Sequence, residues 1–133
     1  MSKLKEKSQF NIQGAECLID ESLYAPSIHC SYYAVLQNIS YLYLKEKNIT
    51  YQQLKSKIDA AGTGSHSFLI DNFFAIYSNQ NGLKYAARSV KNTIKDLKKF
   101  RIQSDYHDVE ITYDLSNDAL SKSKEVLRKL KTF

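Results

Sequence analysis

Proline and glycine are scarce in this chain, which has one proline and four glycines among 133 residues. Sheets of many short strands need tight turns rich in these two residues, so their scarcity argues against a β-sandwich or a β-barrel. Long helices joined by few breaks fit the composition better. Because 43% of the residues are hydrophobic, the chain can build one core, and we predict a single domain over residues 1–133.

Cysteine is scarce as well, with Cys17 and Cys30 in neighbouring predicted helices. Two cysteines are too few for a disulfide framework, and we interpret both as reduced packing residues. Neither a C-x-x-C pair nor a His and Cys spacing typical of zinc sites occurs in the sequence. We therefore expect no metal and no cofactor.

Long apolar runs are missing too. No stretch reaches the roughly 18 to 20 apolar residues that a membrane-spanning helix requires. Residues 1–7 include three lysines and a glutamate, which leaves no apolar core for a signal peptide. The sequence therefore predicts a cytoplasmic protein that has no membrane partner.

Apolar residues recur with a helical period along most of the chain, which predicts an all-α, up-and-down bundle of about five helices. An amphipathic segment covers about residues 3–23, and the next segment starts near Pro26, which fits the first turn of a helix. This second segment has the widest apolar arc. We therefore expect it to be the central helix of the bundle.

The chain after residue 49 has four predicted helices and one predicted loop. A short helix is expected over residues 50–61, and the helix after it is expected to be capped by Ser65 and to end at the turn 79–82. A long basic helix follows. Residues 109–113 alternate like a strand, but a single strand has nothing to pair with, so we predict an extended loop there. The last helix should begin near Ser116 or Asn117.

Arg101 falls on the apolar stripe of the long basic helix, together with Ile94 and Leu97. Its guanidinium therefore leaves from a face that should point inward. A charge in that position needs a partner, and Asp105 is within reach four residues further along the helix. The alternative is a purely structural ion pair that closes the end of a bundle.

Positive charges gather beside the apolar stripe of the same helix. They form a candidate contact surface for a phosphate backbone, on a chain whose formal net charge is +5. The alternative is an ordinary solvated helix face, because rows of lysine are common there. The cations that share this flank are Lys84, Arg88, Lys91, Lys95, Lys98 and Lys99, of which Lys91, Lys95, Lys98 and Lys99 are the candidate RNA-binding residues.

Three separated segments resemble the motifs of one family when they are taken in order. Residues 24–34 resemble a second-helix pattern in which a small residue precedes Ser-Tyr-Tyr-Ala, and residues 65–66 resemble the Ser-His that opens its middle helix. Residues 101–106, Arg-Ile-Gln-Ser-Asp-Tyr, resemble its Arg-x-x-Ala-Asp-Tyr motif. The family is that of the HEPN domains, all-helical modules of prokaryotic toxin-antitoxin and phage-defence systems. The closing helix over residues 119–130 also resembles the last helix of the family, so the resemblance covers most of the chain.

The resemblance implies a metal-independent endoribonuclease that serves as a toxin or a defence component. The RNA-cleaving members carry an arginine followed four to six residues later by a histidine, and here five residues separate Arg101 from His107. A neutral imidazole takes the proton from a ribose 2′-hydroxyl, while the guanidinium holds the phosphate and stabilises its developing charge. Asp105, Tyr106 and Ser104 are the candidate supporting residues.

A dimer follows from the same resemblance. On one continuous helix Arg101 and His107 point about 120° apart, so they cannot face the same phosphate unless the helix breaks near Asp105. The family pairs two subunits, which brings both copies of the motif to the interface. The implied partners are therefore RNA, a second copy of the chain and a minimal nucleotidyltransferase as candidate antitoxin.

Two departures from the family pattern leave other interpretations open. In the members that adenylylation silences, the target tyrosine lies two residues after the histidine, whereas here that residue is Val109 and Tyr106 precedes His107. Many relatives with the Asp-Tyr pattern lack the histidine, in which case His107 is an incidental loop residue. The competing hypothesis is a non-catalytic HEPN module that binds nucleotide, RNA or a partner nucleotidyltransferase through Arg101 and the basic flank.

Overall fold

The computed structural model describes residues 2–80 and 82–133, and within these ranges the fold is all-α, as predicted. Six helices are described, against a predicted count of about five, and they correspond to the six helical segments that the sequence predicts one by one. No helix in the described ranges has both the length and the apolar character needed to cross a membrane. The helices are α1 (Leu4–Asp20), α2 (Tyr24–Lys47), α3 (Tyr51–Ala61), α4 (Ser65–Ser78), α5 (Lys84–Tyr106) and α6 (Tyr113–Leu130).

Helix α2 is the centre of the fold and packs against α1, α4, α5 and α6. Its large apolar side chains recur at helical spacing, and Ile28, Val35 and Ile39 are completely buried. Small residues such as Ser31 and Ala34 are equally buried and allow neighbouring helices to approach closely. The wide apolar arc seen in the sequence therefore does mark the central helix.

A smaller apolar cluster joins α1 to α6 and consists of Ala15, Ile19 and Leu120. Cys30 of α2 packs against it and is half-buried, while Cys17 is exposed. Both cysteines are free thiols.

Several helix boundaries differ from the sequence prediction. The last helix begins at Tyr113 because the hydroxyl of Thr112 accepts a hydrogen bond from the Leu115 N–H at 3.2 Å, which caps the helix three residues earlier than expected. The extended loop is consequently residues 107–112. Ser65 does not cap α4, since Gly64 occupies the cap position with a φ of +89° and Ser65 is already helical.

The other ends lie closer to the prediction. Helix α1 stops at Asp20 instead of near residue 23, and Pro26 lies in the first turn of α2 as expected. Asn81, in the predicted turn 79–82, lies outside the described residues.

Two buried serines at the contact between α2 and α6 give a stability prediction. The Ser123 hydroxyl donates to the Ser31 carbonyl at 2.7 Å, whereas the Ser31 hydroxyl has no hydrogen-bond partner among the described residues. We expect Ser123→Ala to lower the free energy of unfolding by about 1 kcal/mol. Ser31→Ala should instead raise it by about 0.5 kcal/mol, because it removes an unpaired hydroxyl and improves helix propensity.

Urea unfolding of the two variants provides the measurement. Ser121→Ala, at an exposed position of α6, is the control for the change in helix propensity. An equal loss of stability in Ser31→Ala and Ser123→Ala would show that the Ser31 hydroxyl is also hydrogen-bonded.

Candidate functional site

Arg101 lies on the buried face of α5, as the helical period predicts, and is only 9% exposed. Its Nη1 donates to Asp105 Oδ2 over 3.5 Å, which is long for a hydrogen bond between charged groups. Its buried Nε has no hydrogen-bond partner among the described residues. A guanidinium has five N–H donors, and the contact with Asp105 is the one hydrogen bond that this group makes among the described residues.

Three tyrosine rings surround the guanidinium of Arg101. Its central carbon lies 5.3 Å from the ring centroid of Tyr32, 5.6 Å from that of Tyr106 and 5.9 Å from that of Tyr33. These distances allow cation–π attraction, which stabilises the charge without using any N–H donor of the guanidinium. Tyr32 is completely buried and Tyr106 is 72% exposed, so solvent reaches this group of rings on the Tyr106 side.

His29 of α2 joins the site through Asp105. Its Nδ1 lies 2.9 Å from Asp105 Oδ2, the same oxygen that Arg101 contacts. A carboxylate can only accept, so Nδ1 carries the shared hydrogen and Nε2 stays outside this bond. The imidazole also stacks on Tyr33, with ring centroids 4.5 Å apart and planes 29° apart. These two contacts fix the orientation of a side chain that is 48% exposed.

His66, near the start of α4, contacts both tyrosines of α2. The Tyr32 hydroxyl lies 3.0 Å from His66 Nδ1, and the Tyr33 hydroxyl lies 3.4 Å from Nε2. Because the Tyr32 hydroxyl has no other acceptor among the described residues, it donates to Nδ1, and in the neutral ring Nε2–H then points at Tyr33. Both nitrogens of His66 are therefore engaged within the protein.

Burial and nearby positive charge keep His66 neutral. Burial makes the largest contribution to lowering its pKa, and the charges of Arg101, Lys98 and His29 lower it further. Burial also raises the pKa of Tyr32 to about 12. At neutral pH the imidazole of His66 and the phenol of Tyr32 are therefore both uncharged.

The lowered pKa of His66 predicts a pH dependence of stability. The unfolded chain, in which the pKa returns to its ordinary 6.5, binds more protons than the folded protein below that pH. The free energy of unfolding should therefore fall as the pH drops from above 6.5 through the folded pKa. His66→Gln should weaken this dependence when urea unfolding is compared at about pH 7.5 and about pH 5.

His107→Gln is the matched control for the loss of a histidine from an exposed position. A His66→Gln protein with the same pH dependence as the unsubstituted protein would contradict the prediction.

The supporting residues differ in what they contact. Ser104 donates to the Ala25 carbonyl at 2.8 Å, which ties the end of α5 to the start of α2. Asp105 bridges Arg101 and His29, and Tyr106 covers the guanidinium. All three predicted supporting residues thus lie at or beside the guanidinium.

His107 comes directly after the last residue of α5. Helix α5 ends at Tyr106, and His107 is the C-cap residue with an extended backbone, φ −100° and ψ 144°. The residue is exposed, and no hydrogen bond or ion pair of its side chain occurs among the described residues. Among the described contacts, Arg101 is therefore linked to His29 through Asp105 and to His66 through Tyr32, and no contact links it to the side chain of His107.

The four candidate RNA-binding lysines lie on the solvent side of α5. Lys95 and Lys99 are exposed, Lys98 is half-buried, and Lys91 forms an ion pair with Asp71 at 3.2 Å. Lys98 is close enough to His66 to lower its pKa. The basic flank therefore continues up to the cluster around Arg101.

The sequence alone predicts no functional role for His29 or His66. The available signal was the spacing of His29, Tyr32 and Tyr33 at i, i+3 and i+4, which places three polar-tipped rings on one face of α2. Periodicity does not reveal that α4 and α5 present His66 and Arg101 to this same face.

The cluster supplies mainly hydrogen-bond donors and positive charge around Arg101, so its chemistry suits an anionic group such as a phosphate. Within residues 2–80 and 82–133 no group of three or more His, Cys, Asp or Glu side chains is arranged to hold a metal ion.

The protein was also compared with known proteins. Protein-family models, curated proteins and solved structures gave no match to this chain.

Proposed function

We propose that the chain is a metal-independent endoribonuclease of the HEPN type that acts as a homodimer in a toxin-antitoxin or defence system. The observation that supports this most strongly is the buried guanidinium of Arg101, for which residues 2–80 and 82–133 provide one long hydrogen bond and no partner for Nε. Such a group, held by packing and aromatic rings, is preorganised to bind a phosphate and to stabilise the charge of a transition state.

The proposed chemistry divides the work between two residues. Arg101 holds the scissile phosphate, and His107 of the partner subunit takes the proton from the 2′-hydroxyl. His107 is exposed on the segment after α5, so a second protomer has access to it. Lys95, Lys98 and Lys99 contact the neighbouring phosphates, and Lys91 joins them by exchanging its exposed ion pair, which contributes little to stability.

Incubation of the purified protein with RNA in excess EDTA is the direct test of this function. We expect cleavage to continue, because neither the proton transfer nor the charge stabilisation requires a cation. Light scattering at micromolar concentration should give the mass of a dimer. Intact RNA, or cleavage that EDTA stops, would contradict the proposal, and a strict monomer would remove the shared site.

A second candidate function is a non-catalytic module that binds RNA, nucleotide or a nucleotidyltransferase. It is favoured by one observation, namely that Arg101, Asp105 and His29 are in contact within the same chain, while no contact of the His107 side chain with them occurs among the described residues. Under this hypothesis the protein should bind RNA without cutting it, with an affinity that falls steeply as salt is added. Fluorescence anisotropy combined with a gel assay on the same samples distinguishes binding from cleavage.

A further inference from the structure

Cleavage of RNA by its own 2′-hydroxyl requires two proton transfers. The 2′-oxygen bonds to phosphorus and gives up a proton, while the bond from phosphorus to the 5′-oxygen breaks and the 5′-oxygen gains a proton. In the proposed function His107 accepts the first proton. A second group must deliver the other proton to the leaving oxygen.

Two imidazoles close to Arg101 are candidates for that role. They differ in how many of their ring nitrogens already have a hydrogen-bond partner within the protein. His66 has both nitrogens engaged by the hydroxyls of Tyr32 and Tyr33. His29 uses only Nδ1, for Asp105, and its side chain is 48% exposed. Nε2 of His29 therefore remains available to a bound substrate.

We propose that His29 is the proton donor to the leaving 5′-oxygen, and that Asp105 positions it beside the phosphate-binding Arg101. This inference rests on the proposed ribonuclease function. The Nδ1–H bond to Asp105 is kept while the proton on Nε2 passes to the 5′-oxygen. The products are a 2′,3′-cyclic phosphate and a 5′-hydroxyl, after which solvent returns a proton to His29 and removes one from His107.

The geometry around Asp105 supports this assignment. One oxygen, Oδ2, accepts from His29 at 2.9 Å and from Arg101 at 3.5 Å, so a single carboxylate sets the spacing between the two groups. The stacking of His29 on Tyr33 fixes the ring plane. An imidazole oriented by a carboxylate next to a charge-stabilising group is the arrangement that acid–base catalysis requires.

The test compares two RNA substrates in His29→Ala and His107→Ala proteins. One is ordinary RNA, and the other carries sulfur in place of the 5′-oxygen at the mapped cleavage site. A thiolate leaves without needing a proton, because thiols are far more acidic than alcohols. We expect His29→Ala to cleave ordinary RNA about 10² to 10⁴-fold more slowly and to recover most of that loss on the sulfur substrate. His107→Ala should remain slow on both.

The outcomes separate this inference from the function on which it rests. No cleavage of RNA by the unsubstituted protein overturns the ribonuclease proposal and the role of His29 together. Normal cleavage by His29→Ala, or an equal loss on both substrates, overturns the proton-donor role alone. Circular dichroism checks the folding of the variant, and if His29→Ala does not fold, His29→Gln, whose amide can still donate to Asp105, replaces it in the same comparison.

Discussion

RNA cleavage is expected to fall about 10³-fold or more when Arg101 is replaced by methionine, because the charge that stabilises the transition state is lost. Methionine retains a long flexible side chain that fills the space next to Tyr32 and Tyr33. The loss should therefore appear in the rate of cleavage under single-turnover conditions, with folding retained.

Stability should also change in Arg101→Met, but by much less than activity. Asp105 would lose its contact with Arg101 and keep its bond to His29, and its side chain is 22% exposed, so water compensates for part of the loss. We expect a decrease of about 1 to 3 kcal/mol in the free energy of unfolding. Arg128→Met, at an exposed position of α6, is the matched control and should change neither quantity. Cleavage that survives in Arg101→Met would show that the phosphate is bound elsewhere.

The inward position of Arg101 could be predicted because it depends on one helix. The helical period placed Arg101 on the apolar stripe, and a spacing of four residues placed Asp105 within reach of it. Both features are found in the structure. Relations of this kind are local, so the geometry of a single helix is enough to establish them.

The remainder of the cluster depends on how separate helices pack. His29 lies 76 residues before its partner Asp105, and His66 lies 34 residues after Tyr32. The sequence shows which face of a helix is apolar, but it does not show which neighbouring helix covers each part of that face. The contacts of His29 and His66 therefore had to come from the structure.

Helix ends were predicted less well for a different physical reason. The alternation of residues 109–113 suggested an extended chain, whereas the hydroxyl of Thr112 provides a cap that allows α6 to start at Tyr113. At α4 the predicted cap was Ser65, whereas the cap residue is Gly64, whose positive φ glycine adopts easily. Single hydrogen bonds and single dihedral angles decide such boundaries, and hydrophobic periodicity does not report them.

His107→Ala is expected to reduce RNA cleavage about 10² to 10⁴-fold while leaving the free energy of unfolding almost unchanged. His107 is the exposed C-cap residue of α5, and it is the backbone N–H, which alanine keeps, that bonds to the Gln103 carbonyl. Single-turnover cleavage and urea unfolding of the same preparation measure the two quantities. Full activity in His107→Ala would make His107 an incidental loop residue.

Mixing His107→Ala with Arg101→Met tests whether two protomers share each site. In a symmetric dimer with shared sites, a mixed dimer has one site with both Arg101 and His107 intact and one site with neither. Random exchange makes half of the dimers mixed, so the mixture should regain about a quarter of the activity of the unsubstituted protein. The separate variants, each with a single substitution, are the controls. No recovery in the mixture, once subunit exchange has been verified by mass, would show that Arg101 and His107 do not act across the dimer interface.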